Sequence, residues 1–340
     1  DSGVKLDHPD LSDRIWTNKD EIRNGKDDDN NGYIDDVYGY NFAYNNTNVR
    51  DDLGHGTNIA GTIGASTNNT IGYSGIDQNC KLMICKNLSY ENSGEYSWWS
   101  ESLIYAADNG ARVINMSEGG RDFSNTLQNA VKYAYDSGCL IVASMMNKDN
   151  NEVHYPASFP EVMAVGATDT DDDRCREFTW GGGSNWGNYI SVIAPGNRIY
   201  GLDYQDNHNY DIYWSGTSQA TAYVSAIASV LLAQDISRTN DNLKSIITST
   251  AIDQVGDPRE DTKGWDQYYG YGRVDLYAAL TYGKLPSGNK KETYEDTNKK
   301  TEDIKTNNED DKRAKADEPN DRKKETRDDN RAKKPEPDKR

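Results

Sequence analysis

Long apolar runs are absent from this sequence. No stretch of its 340 residues reaches the roughly 20 consecutive apolar residues that a transmembrane helix needs, so a helical membrane span is not expected. Positive charge is also scarce, with 38 Lys and Arg against 56 Asp and Glu. Such an acidic surface repels phosphate backbones, which argues against nucleic acid as a partner. It suits calcium, basic substrates or simple solubility.

Cysteine is rare as well. The four cysteines, Cys80, Cys85, Cys139 and Cys175, allow three pairings, and the sequence neither selects one nor excludes free thiols. Cys85 and Cys139 lie in or beside short apolar runs, which is typical of small buried residues.

Apolar residues are almost missing from residues 286–340, which hold 17 Lys or Arg and 16 Asp or Glu. A segment of this composition cannot bury enough apolar area to offset the entropy of ordering its chain. We therefore predict one folded domain over residues 1–285 and a disordered charged tail over residues 286–340. The tail could be a linker or an interaction segment, and the sequence leaves both open.

Short apolar runs alternate with helical patterns along residues 1–285. The runs predict buried strands at residues 81–85, 113–116, 140–143, 162–165 and 190–194. Helical patterns occupy residues 55–65, 99–109, 126–137, 217–234 and 243–250. This alternation predicts an α/β fold built from βαβ units around a mostly parallel sheet.

Three short motifs contain residues that could carry nucleophilic chemistry. Asp-Ser-Gly stands at residues 1–3, Gly-His-Gly-Thr at residues 54–57, and Gly-Thr-Ser at residues 216–218. Each motif is weak alone, because a Ser before a helix is more often an N-cap than a nucleophile. Their order along the chain is Asp, His, Ser, which is the order found in subtilisin.

Other segments agree with the same family. Residues 1–11, 93–98, 113–120, 162–169 and 269–274 each resemble a subtilase motif in the matching position. The sequence is therefore identified as similar to the subtilisin-like serine proteases, or subtilases (peptidase family S8), especially secreted bacterial and protozoan-parasite members. The resemblance implies a three-layer fold, with helices on both sides of a mostly parallel central sheet. It also implies a secreted, monomeric serine endopeptidase made as a zymogen, which acts on protein or peptide substrates and has an upstream propeptide inhibitor as a partner.

The resemblance assigns four catalytic positions. Ser218 would be the nucleophile, since a neutral hydroxyl needs a base within hydrogen-bond reach and His55 would supply it. Asp1 would hold the His55 tautomer and stabilise the imidazolium. Asn147 would donate its side-chain amide to the oxyanion, beside the helix N-terminus that bears Ser218.

Substrate would bind as an added β-strand between two segments. The resemblance places these substrate-binding residues at Ser93, Gly94, Glu95, Ser117, Glu118 and Gly119. It also places Met145, Met146 and His154 where the family has small residues around the first specificity pocket, so that pocket should be reduced or reshaped. Glu118 stands where an apolar residue is usual. It either favours a polar or basic substrate residue, together with Glu95, or points into water.

Further departures leave alternatives open. Asn58 replaces a second family His, Gln219 replaces the Met that usually follows the nucleophile, and Ala222 and Tyr223 replace a Pro-His pair. The strand that normally leads into the catalytic Asp is also missing, so we expect the chain to be an N-terminally incomplete fragment. The alternatives to an active peptidase are a catalytically impaired pseudoprotease that binds partners, and a calcium-stabilised surface or adhesive module.

Structural calcium is expected at two places. Residues 27–36 alternate oxygen ligands around a Gly turn, with Asp27, Asp29, Asn31 and Asp35 as candidate ligands, although Tyr38 stands where an EF-hand needs Glu. The alternative there is a solvated acidic turn. The second site is implied by the resemblance, and its residues are Asp10, Asn69, Thr67, Ile71 and Tyr73.

Overall fold

The structure is a computed structural model and describes residues 1–283. Its strands and helices follow one another as β1 (Gly39–Asn41), α1 (His55–Gly64), β2 (Ile84–Lys86), α2 (Tyr96–Asp108), β3 (Val113–Met116), α3 (Asn125–Asp136), β4 (Leu140–Ser144), β5 (Val162–Thr168), β6 (Ile190–Pro195), β7 (Ile199–Tyr200), β8 (Tyr213–Trp214), α4 (Thr217–Gln234), α5 (Asn240–Thr250) and α6 (Leu276–Thr281). The expected tail, residues 286–340, lies outside the described residues, and the domain boundary at residue 285 stays a prediction.

The centre of the fold is a parallel sheet in the order β3-β4-β5-β6. Every residue of β4 is buried, because helices cover both faces of the sheet. Leu140 and Val142 pack into a core with α4 and α5, whereas Ile141 and Ala143 pack into a second core with α2 and α3. Successive strand residues point to opposite faces, so this alternation produces the three layers. The expected α/β fold is confirmed.

Two short pairings lie outside that sheet. Strands β1 and β2 pair in parallel, and β7 and β8 pair antiparallel. The predicted strand at residues 81–85 is therefore shifted to Ile84–Lys86, and β1, β7 and β8 were not predicted because they lack apolar runs. Buried Lys86 donates from Nζ to the Asp52 carboxylate at 2.7 Å, which pairs its charge.

Helix boundaries differ from the sequence pattern where capping or aromatic residues decide them. Helix α5 begins at Asn240, three residues before its first apolar position, because Thr239 forms a capping box with Asn242. Helix α2 begins at Tyr96, three residues before the predicted start at residue 99, because residues 96–98 show no clear helical pattern of apolar positions. Within residues 1–283, none of the helices combines the length and apolar character of a bilayer-crossing segment.

Candidate active site

Two helix N-termini hold the predicted nucleophile and base. His55 is the first residue of α1, and Gly54 before it has a φ of 100°, which favours glycine. Ser218 is the second residue of α4, and 13 of the 18 residues of this helix are buried. Helix α4 packs on the central sheet and carries its N-terminal N–H groups toward the site.

Asp1 and His55 form a direct hydrogen bond. The distance from Asp1 Oδ1 to His55 Nδ1 is 2.8 Å. The same oxygen accepts the Ser2 backbone N–H at 2.6 Å, and Asp1 Oδ2 is buried with no hydrogen-bond partner among residues 1–283. Because Asn87 donates its backbone N–H to the Asp1 carbonyl at 2.9 Å, the segment after β2 holds the Asp1 backbone in place. This geometry orients the imidazole with Nε2 free to act as a base.

The environment of His55 keeps its imidazole neutral. Burial is the main cause that lowers the pKa of His55, to about 4, while Asp51 and Glu118 act in the opposite direction. A neutral imidazole at pH 7 can accept a proton from a hydroxyl. The Trp214 ring packs edge-on against His55 with ring centroids 5.7 Å apart, a contact that no sequence motif indicated.

Ser218 lies against the segment that follows β3. Its Oγ donates to the Ser117 carbonyl at 3.2 Å, and Ser117 Oγ donates in return to the Ser218 carbonyl at 3.0 Å. Within the described part of the chain, the Ser218 hydroxyl makes no hydrogen bond to His55. The hydroxyl would have to exchange this acceptor for the imidazole before it could pass a proton to His55, a change of the kind that often occurs when substrate binds.

Asn147 is oriented by the helix that bears Ser218. Its Oδ1 accepts both the N–H and the Oγ–H of Thr217, each at 2.8 Å. The Nδ2 amide must then face the other way, and a Cβ placed on Gly216 would lie 3.3 Å from it. The donor is thus held beside the N-terminus of α4, as an oxyanion donor requires.

A buried bridge joins the helices of the base and the nucleophile. Gln219 Nε2 donates to Asn58 Oδ1 at 3.1 Å, and both side chains are buried. Asn58 and Gln219 are two of the residues that depart from the usual family pattern. The structure shows that they pair with each other, which sequence spacing alone could not indicate.

The two predicted substrate segments have different exposure. Ser93 and Glu95 are exposed, and Gly94 packs on the Trp99 indole, where a Cβ would lie 2.4 Å from Nε1. Glu118 is buried, and its Oε1 accepts a hydrogen bond from Asn87 Nδ2 at 3.0 Å. It does not point into water, and its Oε2 is buried with no hydrogen-bond partner among residues 1–283.

The three residues predicted around the first specificity pocket differ in burial: Met145 and His154 are buried, and Met146 is partly exposed. Met145 is fully buried in the core beneath α2 and α3, so the expectation that its side chain narrows the pocket is wrong. It continues the alternation of Ile141 and Ala143, and it therefore points into the protein. His154 is also buried, with Nδ1 2.9 Å from the Glu152 carbonyl oxygen. Met146 is half-buried and contacts Gly119.

The acidic loop gathers carboxylates that the sequence pattern only partly identified. Single oxygens of Glu21, Asp29 and Asp36 lie within 4.8 Å of one another. Asn31 is beside them, donating from Nδ2 to Asp29 at 3.1 Å and to Asp36 at 3.0 Å. Of the predicted ligands, Asp27 instead accepts from the backbone of the turn, at Gly32 N, 2.9 Å away.

Asp35, like Asp27, accepts hydrogen bonds from the backbone of a turn. Its carboxylate accepts the backbone N–H groups of Asn24 and Gly25 at 2.8 and 3.0 Å, and so closes the preceding turn. The cluster of Glu21, Asp29 and Asp36 provides hard oxygen donors, which suit Ca²⁺. Because like charges this close repel one another, the cluster could hold a cation.

The second predicted metal site contains an orphaned carboxylate oxygen. Asp10 is fully buried, its Oδ1 accepts from Asn69 Nδ2 at 2.5 Å, and its Oδ2 has no hydrogen-bond partner among residues 1–283. Burial raises the pKa of Asp10. Thr67, Ile71 and Tyr73 belong to the same exposed loop as Asn69. An unpaired buried oxygen next to an amide side chain fits a calcium ligand set.

The cysteines are free thiols, so they form no disulfide. Burial raises the pKa of Cys80, Cys85 and Cys175 to about 12 and that of Cys139 to about 11. A thiol with such a pKa is not a nucleophile at neutral pH. The four cysteines are thus not candidate nucleophiles at neutral pH.

Comparison with known proteins agrees with this geometry. The family model described as "Subtilase family" matches residues 1–272. The thermophilic serine proteinase of Bacillus sp. (strain AK1) is 34% identical over 282 residues, which are 83% of this chain and 60% of that protein. Thermitase of Thermoactinomyces vulgaris is 31% identical over 282 residues, which are 83% of this chain and 87% of thermitase. The cell wall-associated protease of Bacillus subtilis (strain 168) is 36% identical over 264 residues, or 73% of this chain and 28% of that protein.

Solved structures are similar as well. A cold adapted subtilisin-like serine proteinase is 28% identical with a TM-score of 0.62, over 79% of this chain and 86% of the other. Sphericase is 26% identical with a TM-score of 0.66, over 81% of this chain and 88% of the other.

Proposed function

The chain belongs to the subtilase family, and we propose that it is a serine endopeptidase in which Asp1, His55 and Ser218 form the triad and Asn147 supplies an oxyanion donor. The observation that carries the proposal is the 2.8 Å hydrogen bond from His55 to Asp1, made at a helix N-terminus next to the one that holds Ser218. A neutral His55 with an oriented Nδ1 has the properties that a general base requires.

The mechanism follows from the positions of these groups. Ser218 Oγ attacks the scissile carbonyl carbon, and its proton passes to His55 Nε2 while Asp1 stabilises the imidazolium. The negative oxygen that forms is stabilised by Asn147 Nδ2 and the N–H of Ser218. His55 then protonates the leaving amine, and water hydrolyses the acyl-enzyme by the same steps in reverse. The exposed residues Ser93 and Glu95 on one side and the Ser117–Gly119 segment on the other would bind an extended peptide.

Treatment with a fluorophosphonate probe tests the proposal. An activated Ser218 forms a bond to phosphorus and displaces fluoride, and its proton passes to His55. We expect labelling of the parent chain and none of Ser218→Ala. Ser229→Ala, on the same helix but away from the site, should label like the parent. Absence of labelling in a folded, calcium-loaded parent would favour the pseudoprotease alternative, in which Ser218 keeps its hydrogen bond to Ser117.

Calcium is part of the proposal, in a structural role. Glu21, Asp29 and Asp36 would hold one ion, with Asn18 and Asn31 able to turn their amide oxygens toward it. Asp10 and Asn69 would hold another, with carbonyl groups of Thr67, Ile71 and Tyr73 as its further ligands. A bound ion would neutralise carboxylates that burial otherwise destabilises and would fix the loops that contain them.

Removal of calcium is expected to lower the melting temperature. An ion present at 100 times its Kd stabilises the folded state by about 2.7 kcal/mol, which corresponds to a shift of roughly 4–5 °C for a domain of this size. Differential scanning calorimetry with and without EDTA measures this shift. Asp10→Asn and Asp29→Asn should each reduce it, whereas Asp28→Asn, an exposed neighbour, should leave it unchanged. Identical melting curves in EDTA and in calcium would contradict both sites.

We also propose that the protein is secreted and is synthesised as a zymogen. Support comes from the cell wall-associated relative and from the peptidase activity itself, which would need restraint before export. Its partners would be protein or peptide substrates and an upstream inhibitory propeptide, and the catalytic chain would act as a monomer.

A further inference from the structure

Met146 has a backbone conformation that methionine rarely adopts. Its φ is 72°, in the left-handed region that normally favours glycine. It directly precedes Asn147, whose side chain is fixed on Thr217. Strained residues of this kind persist where the surrounding structure enforces them, and they concentrate at functional sites.

The Met146 side chain bridges the gap, here called the cleft, between the segments that follow β3 and β4. Neighbouring parallel strands are about 4.8 Å apart, and the pairing of β3 with β4 ends at Met116 and Ala143. The Met146 sulfur lies 2.9 Å from the position a Cβ on Gly119 would take, and Ser144 Oγ is 3.6 Å from the same sulfur. The thioether therefore reaches from its own segment, which follows β4, to Gly119 in the segment that follows β3.

The same cleft begins at the nucleophile. Ser218 Oγ hydrogen-bonds the Ser117 carbonyl, two residues before Gly119, and Asn147 follows Met146 directly. A substrate carbonyl between Ser218 and Asn147 would direct the side chain on its amino-terminal side into the space that Met146 now occupies. Gly120 and Tyr155 exchange backbone hydrogen bonds at 2.9 and 2.8 Å, which holds the Gly119 wall and prevents it from moving aside.

We propose that Met146 is the specificity-determining residue of this peptidase and that it restricts the residue before the cleaved bond to small side chains, Gly or Ala. The inference rests on the proposed function. A large aromatic or branched side chain would have to displace the thioether from a cleft whose far wall is pinned, whereas a methyl group or hydrogen fits beside it.

A peptide series that differs only at the residue before the cut tests this. For the parent chain, kcat/KM for Ala should exceed that for Phe by about 10- to 200-fold, the range that pocket sterics usually provide. Met146→Gly should raise the value for Phe to at least that for Ala. Gly accepts a φ of 72° without strain, so this variant is expected to fold. Met146→Ala removes the thioether and should shift the preference in the same direction. Met163→Leu, which alters a methionine buried in the sheet core, should keep the parental order.

Binding to the Ser218→Ala chain gives a second readout that does not depend on turnover. Isothermal titration with the same peptides should show tighter binding of the Ala peptide than of the Phe peptide, and Met146→Gly in this background should remove the difference. A parent that prefers Phe, or a ratio that Met146→Gly leaves unchanged, would overturn the proposal, since the flexible thioether would then move aside. A parent that binds peptides in the expected order and fails to label with the fluorophosphonate would instead overturn only the proposed function.

Discussion

Ser218→Ala is expected to lower kcat by about a million-fold, and addition of His55→Ala to it should cause almost no further loss. The magnitude is the one established for removal of the same residues from subtilisin, a member of this family. The physical reason is that the two side chains act as one unit: without the hydroxyl, the base has no proton to accept. KM should change little, because the peptide binds to segments that neither substitution alters.

Single-turnover cleavage of a chromogenic peptide, measured for both single variants and the double variant, checks this prediction. Residual activity about 10³–10⁴ above the uncatalysed rate is expected from the oxyanion donors alone. Ser229→Ala on the same helix is the control for helix stability and should keep the parental kcat. Losses that add logarithmically in the double variant would mean that Ser218 and His55 act independently, which contradicts a triad.

Asn147→Ala should lower kcat by about 10²–10³, with little change in KM, since the amide stabilises charge that exists only in the transition state. The size again comes from subtilisin, where the equivalent donor has been removed. The substitution also leaves the Thr217 N–H and hydroxyl without their acceptor. A loss of activity could then reflect a displaced helix N-terminus in place of a missing donor.

Asn147→Asp separates these two causes. Aspartate keeps an oxygen for Thr217 but presents a second oxygen, in place of the amide, to the substrate. If the donor matters, Asn147→Asp should lose at least as much kcat as Asn147→Ala. If only the anchoring of Thr217 matters, it should retain most of the activity. Asn151→Ala, an exposed asparagine of the same loop, should behave like the parent. Michaelis–Menten parameters for the three variants decide between the two causes.

The sequence predicted the central sheet well because three of its four strands, β4, β5 and β6, are buried on both faces. Strand β3 was predicted with its observed bounds, and β4, β5 and β6 were predicted to within a few residues. Short apolar runs without polar alternation are typical of buried strands, which is why the sequence pattern indicated them. The short strands β7 and β8 carry exposed aromatic residues such as Tyr213, so no burial pattern indicated them.

Candidate site residues could be assigned from sequence where they belong to local motifs, whereas contacts between residues far apart in the chain could not be predicted. Asp1, His55 and Ser218 each belong to a recognisable motif, and motif order identified them. The Asn58–Gln219 bridge joins residues that are 161 positions apart, and Glu21 and Asp36 complete an acidic cluster that spacing within the loop had assigned to Asp27 and Asp35. Met145 could have been assigned correctly from sequence, since the alternation of β4 continues through it into the core.

The deep burial of α4 has a consequence for which parts of such an enzyme are lost first to self-proteolysis. Backbone amides of a helix enclosed on the sheet exchange with solvent only when the whole domain opens, whereas exposed loops such as the one around Asn69 open locally at small free energy. A protease molecule that attacks a neighbouring copy therefore meets the loops first. Cleavages would accumulate around the proposed calcium ligands while α4 stays folded. The working lifetime of the enzyme would therefore depend on the stability of these loops and not on that of the helix that bears Ser218.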